Sequence, residues 1–175
     1  LDPQFTHLAN SAASFVHERL RRGLVRVGIA MYGVAPMDPG SAQRLGLRPA
    51  MTLRAQVALV KRLPAGAAVS YGSTWTAEHS VQAALIPLGY ADGIPRAASN
   101  RAGVSISGRR CPVVGRVAMD QFVVIVDGAV RAGDEVEVFG TDPTADEWAS
   151  ACDTIGYEIV TRIGPRVPRH YVGQS

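Results

Sequence analysis

The stretch from 101 to 140, RAGVSISGRRCPVVGRVAMDQFVVIVDGAVRAGDEVEVFG, decides the fold class. GVSIS (103–107), RCPVVGRV (110–117), QFVVIVD (121–127) and DEVEVF (134–139) are short, Val-rich and often alternating. Turn signals such as SGR, DG and AGD separate them, as expected for strands joined by tight connections. Toward the N-terminus, VQAALIPLG (81–89) and MTLRAQVALVKRL (51–63) continue the pattern, with PAG and GYADG at the breaks. Short strands at this spacing predict a mainly β domain, a barrel or a sandwich. Toward the C-terminus, TADE (144–147) fits a capping box. WASACDTIGYEIVTRI (148–163) reads as helical behind it, with Gly156 as a break, and RVPRHY (166–171) reads as a last strand.

The first 48 residues follow another rhythm. Asn10 and Ser11 open SAASFVHERLRRG, with Phe15, Val16 and Leu20 on one helical face and Gly23 as the stop. A capped helix of about three turns is expected. LVRVG (24–28) is a short β-branched run ending in Gly28, and the succession is that of an α/β unit. MYGVAPMDPGSAQRLGLRPA (31–50) is rich in Gly and Pro and reads as a linker. The expected organisation is therefore an α/β segment over 1–48 and a β domain over 49–175.

Composition bounds the rest. The chain has 175 residues, 47% hydrophobic and 19% charged, which excludes global disorder and allows one domain, or one domain with a piece of another. No run approaches the roughly 18–20 apolar residues of a membrane span. LDPQFTHLANS shows no secretory signal and no initiator Met, so the expectation is a cytoplasmic chain that starts inside a longer gene. A net charge of +3 with scattered arginines is too mild to imply nucleic acid. Cys111 and Cys152 have no metal-ligand spacing, so neither a metal site nor a disulfide is argued, and two reduced thiols are expected. Lys61 is the only lysine beside 17 arginines.

Read singly, the polar residues at element ends are weak signals. The Ser11 hydroxyl and nearby backbone N–H groups could hold a phosphate, although a plain helix cap is the simpler local reading. Gly28 and Ile29 could add backbone donors, or simply turn the chain. Arg26 lies in an apolar strand, where a charge needs a partner. Tyr71, in VSYGSTWTA, sits in a Gly- and Ser-rich loop, where a packed ring with a wet hydroxyl is the ordinary explanation. Asp92 and Arg96, in GYADGIPR, could pair across a turn. Arg116, Met119 and Asp120, in GRVAMDQ, put a polar step between two strands, which a hairpin also explains.

Taken in order, HLANSA (7–12), RVGIAMYG (26–33), VSYGSTWTA (69–77), GYADGIPR (89–96), GRVAMDQ (115–121) and GYEIVTRIGPRVPRHY (156–171) closely resemble alanine racemase over nearly the whole chain. The resemblance implies the end of a (β/α)8 barrel that binds pyridoxal 5′-phosphate, followed by the whole C-terminal β-barrel-like domain. It implies that Ser11, Gly28, Ile29 and Tyr157 bind the cofactor phosphate and that Arg26 faces the pyridine nitrogen. A permanently protonated arginine cannot readily donate a proton there, which would restrict the cofactor to racemisation.

The same resemblance makes Tyr71 one of two acid–base groups on opposite faces of the α-carbon. The other is a lysine that also forms the Schiff base with the cofactor. Tyrosine has an ordinary pKa of about 10 and is a poor base at neutral pH, so cationic or hydrogen-bonding neighbours are expected around Tyr71. Met119 would offer its backbone N–H to the substrate carboxylate and Asp120 would shape the pocket. Tyr90, Arg96, Arg116 and Tyr157 would line the entry channel. The family's tyrosine crosses to the partner subunit, which implies a head-to-tail homodimer.

The cofactor lysine lies near the start of the family's barrel, in a motif this sequence lacks, and Lys61 lies outside any cofactor motif. A chain of these 175 residues is therefore expected to be inactive alone, while the full-length parent interconverts L- and D-alanine for peptidoglycan. The alternatives are a serine or broad-specificity racemase of the same family, or a non-catalytic β domain for dimerisation or ligand binding.

Overall fold

The computed structural model describes residues 3–173, and the chain divides into two compact units, Leu1–Thr52 and Leu53–Ser175. The first unit is a β-α-β arrangement. Strand β1 (His7–Asn10) leads directly into helix α1 (Ser11–Val16), and β2 (Leu24–Arg26) pairs with β1 in parallel. Asn10, not Ser11, is the cap: its side-chain oxygen accepts the Ala13 N–H at 3.0 Å. The expected three-turn helix ends after six residues. The backbone leaves the helical conformation at His17, with φ −123° and ψ 87°, and the Arg21 Nε caps the end by donating to the Ser14 carbonyl at 2.6 Å.

The expected linker over 31–50 also has structure. It contains the second half of a 3-10 turn (Ile29–Tyr32) and helix α2 (Ser41–Arg44). Its chain folds back on itself, with the Ala50 N–H on the Tyr32 carbonyl at 3.1 Å. Gly33 permits this return: its φ is +74°, and a Cβ there would stand 2.0 Å from the Arg48 carbonyl oxygen.

The second unit is mostly β, a curled antiparallel sheet with two short helices. Its strands are β3 (Leu53–Gln56), β4 (Leu59–Leu63), β5 (Val81–Ile86), β6 (Gly103–Ile106), β7 (Arg109–Val114), β8 (Phe122–Val126) and β9 (Glu135–Phe139). Their order across the sheet is β3-β9-β6-β7-β8-β5-β4. MTLRAQVALVKRL, read as one strand, is therefore two, and they occupy opposite ends of that order. The split falls at Val57 and Ala58, where successive N–H groups bond to different neighbours. Val57 donates to the Asp134 carbonyl and Ala58 to the Leu85 carbonyl, each at 2.9 Å.

β8 alternates buried and half-buried residues, as a strand with one face on a core must. Phe122, Trp148, Ile86, Ile106, Val104, Val124, Val136 and Phe139 make the core, with the Phe122 and Trp148 rings edge to face at 6.4 Å. β6 turns into β7 through Ser107 and Gly108, both at positive φ, as a two-residue hairpin requires. The predicted capping box is present at helix α3 (Ala145–Ala151). The Thr144 hydroxyl accepts the Glu147 N–H at 3.1 Å, and Glu147 accepts the Thr144 N–H at 2.6 Å.

A second helix, α4 (Gly156–Arg162), follows after a break at Asp153, which adopts φ +54°. RVPRHY forms no strand. Pro168 has no N–H to give a ladder, and the arginines beside it bond elsewhere: Arg166 to carboxylates, Arg169 to the Ile163 carbonyl at 2.7 Å.

Candidate functional site

In the first unit, Ser11, Gly28 and Ile29 come together. Ser11 is the first residue of α1 and is buried, and its Oγ accepts the Gly28 N–H at 3.1 Å and the Ala30 N–H at 3.4 Å. A hydroxyl that already accepts twice has its own proton left to donate. A Cβ built on Gly28 would meet nothing within 4 Å, so there is space beside this turn. The Ser11 proton is free to meet a phosphate dianion, while the Gly28 and Ala30 N–H groups would have to leave Ser11 to do so. Arg26 lies two residues earlier on β2 and is exposed, so no burial forces a partner on it.

In the second unit, three loops carry the remaining residues. Tyr71 opens a 3-10 turn (Tyr71–Ser73) and is 73% exposed. It lines a cleft of about 380 Å³ with Ser70, Arg116, Ala118, Gln121 and Phe122. The expected cationic neighbour is thus Arg116, whose guanidinium lies over Gly72: a Cβ there would approach its Nη1 to 2.9 Å. The second loop, around Tyr90, is zipped to the third, around Met119. Tyr90 N–H bonds to the Ala118 carbonyl at 3.0 Å and Ala91 N–H to the Met119 carbonyl at 2.9 Å. Gly89 makes the approach possible, since a Cβ on it would stand 2.2 Å from the Met119 carbonyl oxygen.

Asp92 does not pair with Arg96. Its buried carboxylate accepts the Gly89 N–H at 2.8 Å and pairs with Arg166 at 3.3 Å. Arg166 also holds Asp120 at 2.8 Å, so one guanidinium joins the Tyr90 loop to the Met119 turn. The Asp120 hydrogen bond, followed by the Asp92 charge, raises the Arg166 pKa above its ordinary value and secures the cation. Arg96 is exposed, and its carbonyl accepts the Ser99 hydroxyl at 2.5 Å. Tyr157 stands on α4, its carbonyl taking the Thr161 hydroxyl at 2.7 Å, and none of these hydrogen bonds links it to the three loops.

Reading residues one at a time misses Ser70, Ser99, Asn100 and Arg166. Ser70 and Arg166 lie within quoted motifs and Ser99 and Asn100 shortly after one, but only the sheet order places their loops together.

Residues 50–171 match the family model described as "Alanine racemase, C-terminal domain", and residues 1–36 match "Alanine racemase, N-terminal domain". The chain belongs to the alanine racemase family. It is 52% identical to the alanine racemase of Frankia casuarinae over 98% of its own length and 46% of the relative's. It is 53% identical to that of Thermobifida fusca over 99% and 47%. The solved alanine racemase of Streptomyces lavendulae, which produces D-cycloserine, superposes with a TM-score of 0.96 at 51% identity, covering 100% of this chain and 47% of that one. The biosynthetic alanine racemase of Pseudomonas aeruginosa gives 0.93 at 40% identity, over 99% and 49%. The chain spans about half the length of the alanine racemases it matches. Among the described residues, no helix is long and apolar enough to cross a membrane.

Proposed function

We propose that this chain is the C-terminal half of a cytoplasmic alanine racemase that interconverts L- and D-alanine for peptidoglycan. In this reading residues 1–48 are the end of the cofactor barrel and 49–175 the C-terminal domain, and the division into units at Thr52 and Leu53 supports it. The observation that carries the function is the cleft where Tyr71 and Arg116 meet the Met119 turn, on a chain of this family.

Pyridoxal 5′-phosphate, when bound, supplies the electron sink that makes the α-proton of alanine acidic. Ser11, Gly28 and Ile29 would hold its phosphate, the Tyr157 hydroxyl would add to them, and Arg26 would meet its pyridine nitrogen. The guanidinium stays charged at working pH and offers no proton there. Tyr71 holds or gives a proton at its phenolic oxygen on one face of the α-carbon, in the active site of the partner subunit of a homodimer. Arg116 lines the same cleft as that phenol. Met119 donates its backbone N–H to the substrate carboxylate. Asp120, held by Arg166 at 2.8 Å, would help shape the substrate pocket.

The opposite face needs a lysine. Lys61 lies in β4 at the end of the sheet order, paired with Ala83, and is not that group. The 175 residues alone are therefore inactive.

The test uses the polypeptide of full family length that carries this chain. Tyr71→Phe keeps the cofactor absorbance and lowers turnover by about 10²- to 10⁴-fold, the usual weight of one acid–base group. Full rates in both directions would remove Tyr71 from the chemistry. Turnover by the 175-residue chain alone would refute the need for the missing lysine.

A further inference from the structure

The Tyr71 loop has an unfavourable backbone. Ser70, Gly72 and Ser73 all have positive φ, at 63°, 71° and 46°, and two of the three carry side chains that disfavour it. The ring is largely exposed, so packing does not fix its place and its position is inherited from the loop. Such a loop needs ties from outside, and the structure supplies them at one short turn, Gly115–Arg116–Val117. The Gly115 N–H donates to Asn100 Oδ1 at 2.6 Å, the Arg116 carbonyl accepts the Ser70 hydroxyl at 2.7 Å, and the Val117 N–H donates to Ser99 Oγ at 2.9 Å.

Ser70 ties the near end of the loop to that turn, and Asn100 ties the far end. Its Nδ2 donates to Thr74 Oγ1 at 3.1 Å, on the residue that ends the Tyr71 turn, while its Oδ1 holds the Arg116 turn. It does so at φ +59°, a conformation asparagine tolerates better than most residues.

We propose that Asn100 is a positioning residue: by tying Thr74 to Gly115 it fixes the Tyr71 phenol against Arg116. The role rests on Tyr71 being the acid–base group.

The experiment is Asn100→Gly in the full-length enzyme, which deletes the amide and keeps the backbone conformation accessible. A misplacement near 1 Å costs up to about 10²-fold, so kcat should fall about 10- to 100-fold while KM for alanine stays within about threefold. The primary isotope effect with α-deuterated alanine should rise in one direction only, the one in which Tyr71 removes the proton. Thr74→Val cuts the other side-chain end of the tie and should give the same one-sided change in smaller measure. If Asn100→Gly does not fold, Thr74→Val decides alone.

Unchanged isotope effects with unchanged kcat, or isotope effects that rise equally in both directions, would overturn the proposal. Tyr71→Phe keeps the two readings apart. If it is inert, the reading of Tyr71 fails; if it is crippled while both tie variants behave as wild type, only the role of Asn100 fails.

Discussion

Gly89→Ala is the sharpest steric test of how the Tyr90 loop and the Met119 turn are held. Gly89 has φ −143°, an extended conformation that alanine adopts freely, so the backbone angle itself costs nothing. The obstacle is the Met119 carbonyl: a Cβ would lie 2.2 Å from its oxygen, where real contacts are no shorter than 3.0 Å. The 118–120 segment must retreat by most of an ångström, and both the Tyr90 and Ala91 N–H groups bond to carbonyls of that segment. Overpacking of this kind costs about 1–3 kcal/mol, and weakening two hydrogen bonds adds about 1 kcal/mol each. The entropy gained by removing a glycine returns about 0.4–1 kcal/mol, which leaves a net loss of about 2–4 kcal/mol.

For a chain of this size that lowers Tm by roughly 5–15 °C. The assay is thermal unfolding of the 175-residue chain followed by tryptophan fluorescence, with Gly164→Ala as control. A Cβ at Gly164 meets nothing within 4 Å, and its Tm should move by no more than about 2 °C. A Gly89→Ala shift as small as the control's would refute the close approach.

Acid should weaken the second unit. Arg101 holds the Asp153 carboxyl below its ordinary value of 3.8 through a bidentate pair at 2.6 and 2.9 Å. At Glu147 burial pushes upward, but the Thr144 N–H and Arg110 outweigh it, and the carboxyl lies below its ordinary 4.5. Depressed carboxylates stabilise the fold fully above their unfolded values and lose that effect as pH falls through the folded ones, so the urea midpoint should hold to about pH 5 and then decline. A midpoint that stays level to about pH 3 would contradict this. Burial pushes both the Cys111 and Cys152 thiols up, with Arg109 opposing it at the first and Arg101 and Arg162 at the second. Iodoacetamide at pH 8 should spare both in the native chain and modify both in urea; rapid native labelling of either would refute their burial.

Much of the β unit is legible because its strands declare themselves locally. QFVVIVD and DEVEVF combine β-branched residues with flanking turns, and TADE states its own helix start. MTLRAQVALVKRL hides its break because Val57 and Ala58 differ from a strand interior only in which distant carbonyl each N–H meets. RVPRHY reads as a strand, but its Pro168 has no N–H to give a ladder. The helix after Asn10 starts where its cap predicts but stops at His17, whose backbone is not helical.

The candidate site divides in the same way. Ser11, Gly28 and Tyr71 stand out through their motifs. Asn100, Ser99 and Ser70 are ordinary loop residues until the order of β5, β7 and β8 brings three loops side by side. Asp92 was legible as a charge in a turn, but its partner, in a segment read as a strand, was not.

The sheet order also bears on synthesis. β3 is made first among the seven strands, yet its only partner in the sheet order is β9, made last; Arg54 and Glu135 on the two strands are 81 positions apart. At roughly 5–20 residues per second, a ribosome leaves β3 without its neighbour for roughly 4–16 s. During that interval a strand with open N–H and C=O groups is a template for any other nascent chain. Arg54 and Gln56, both exposed on β3, put a charge and a polar side chain on the strand most at risk while the chain waits for its end.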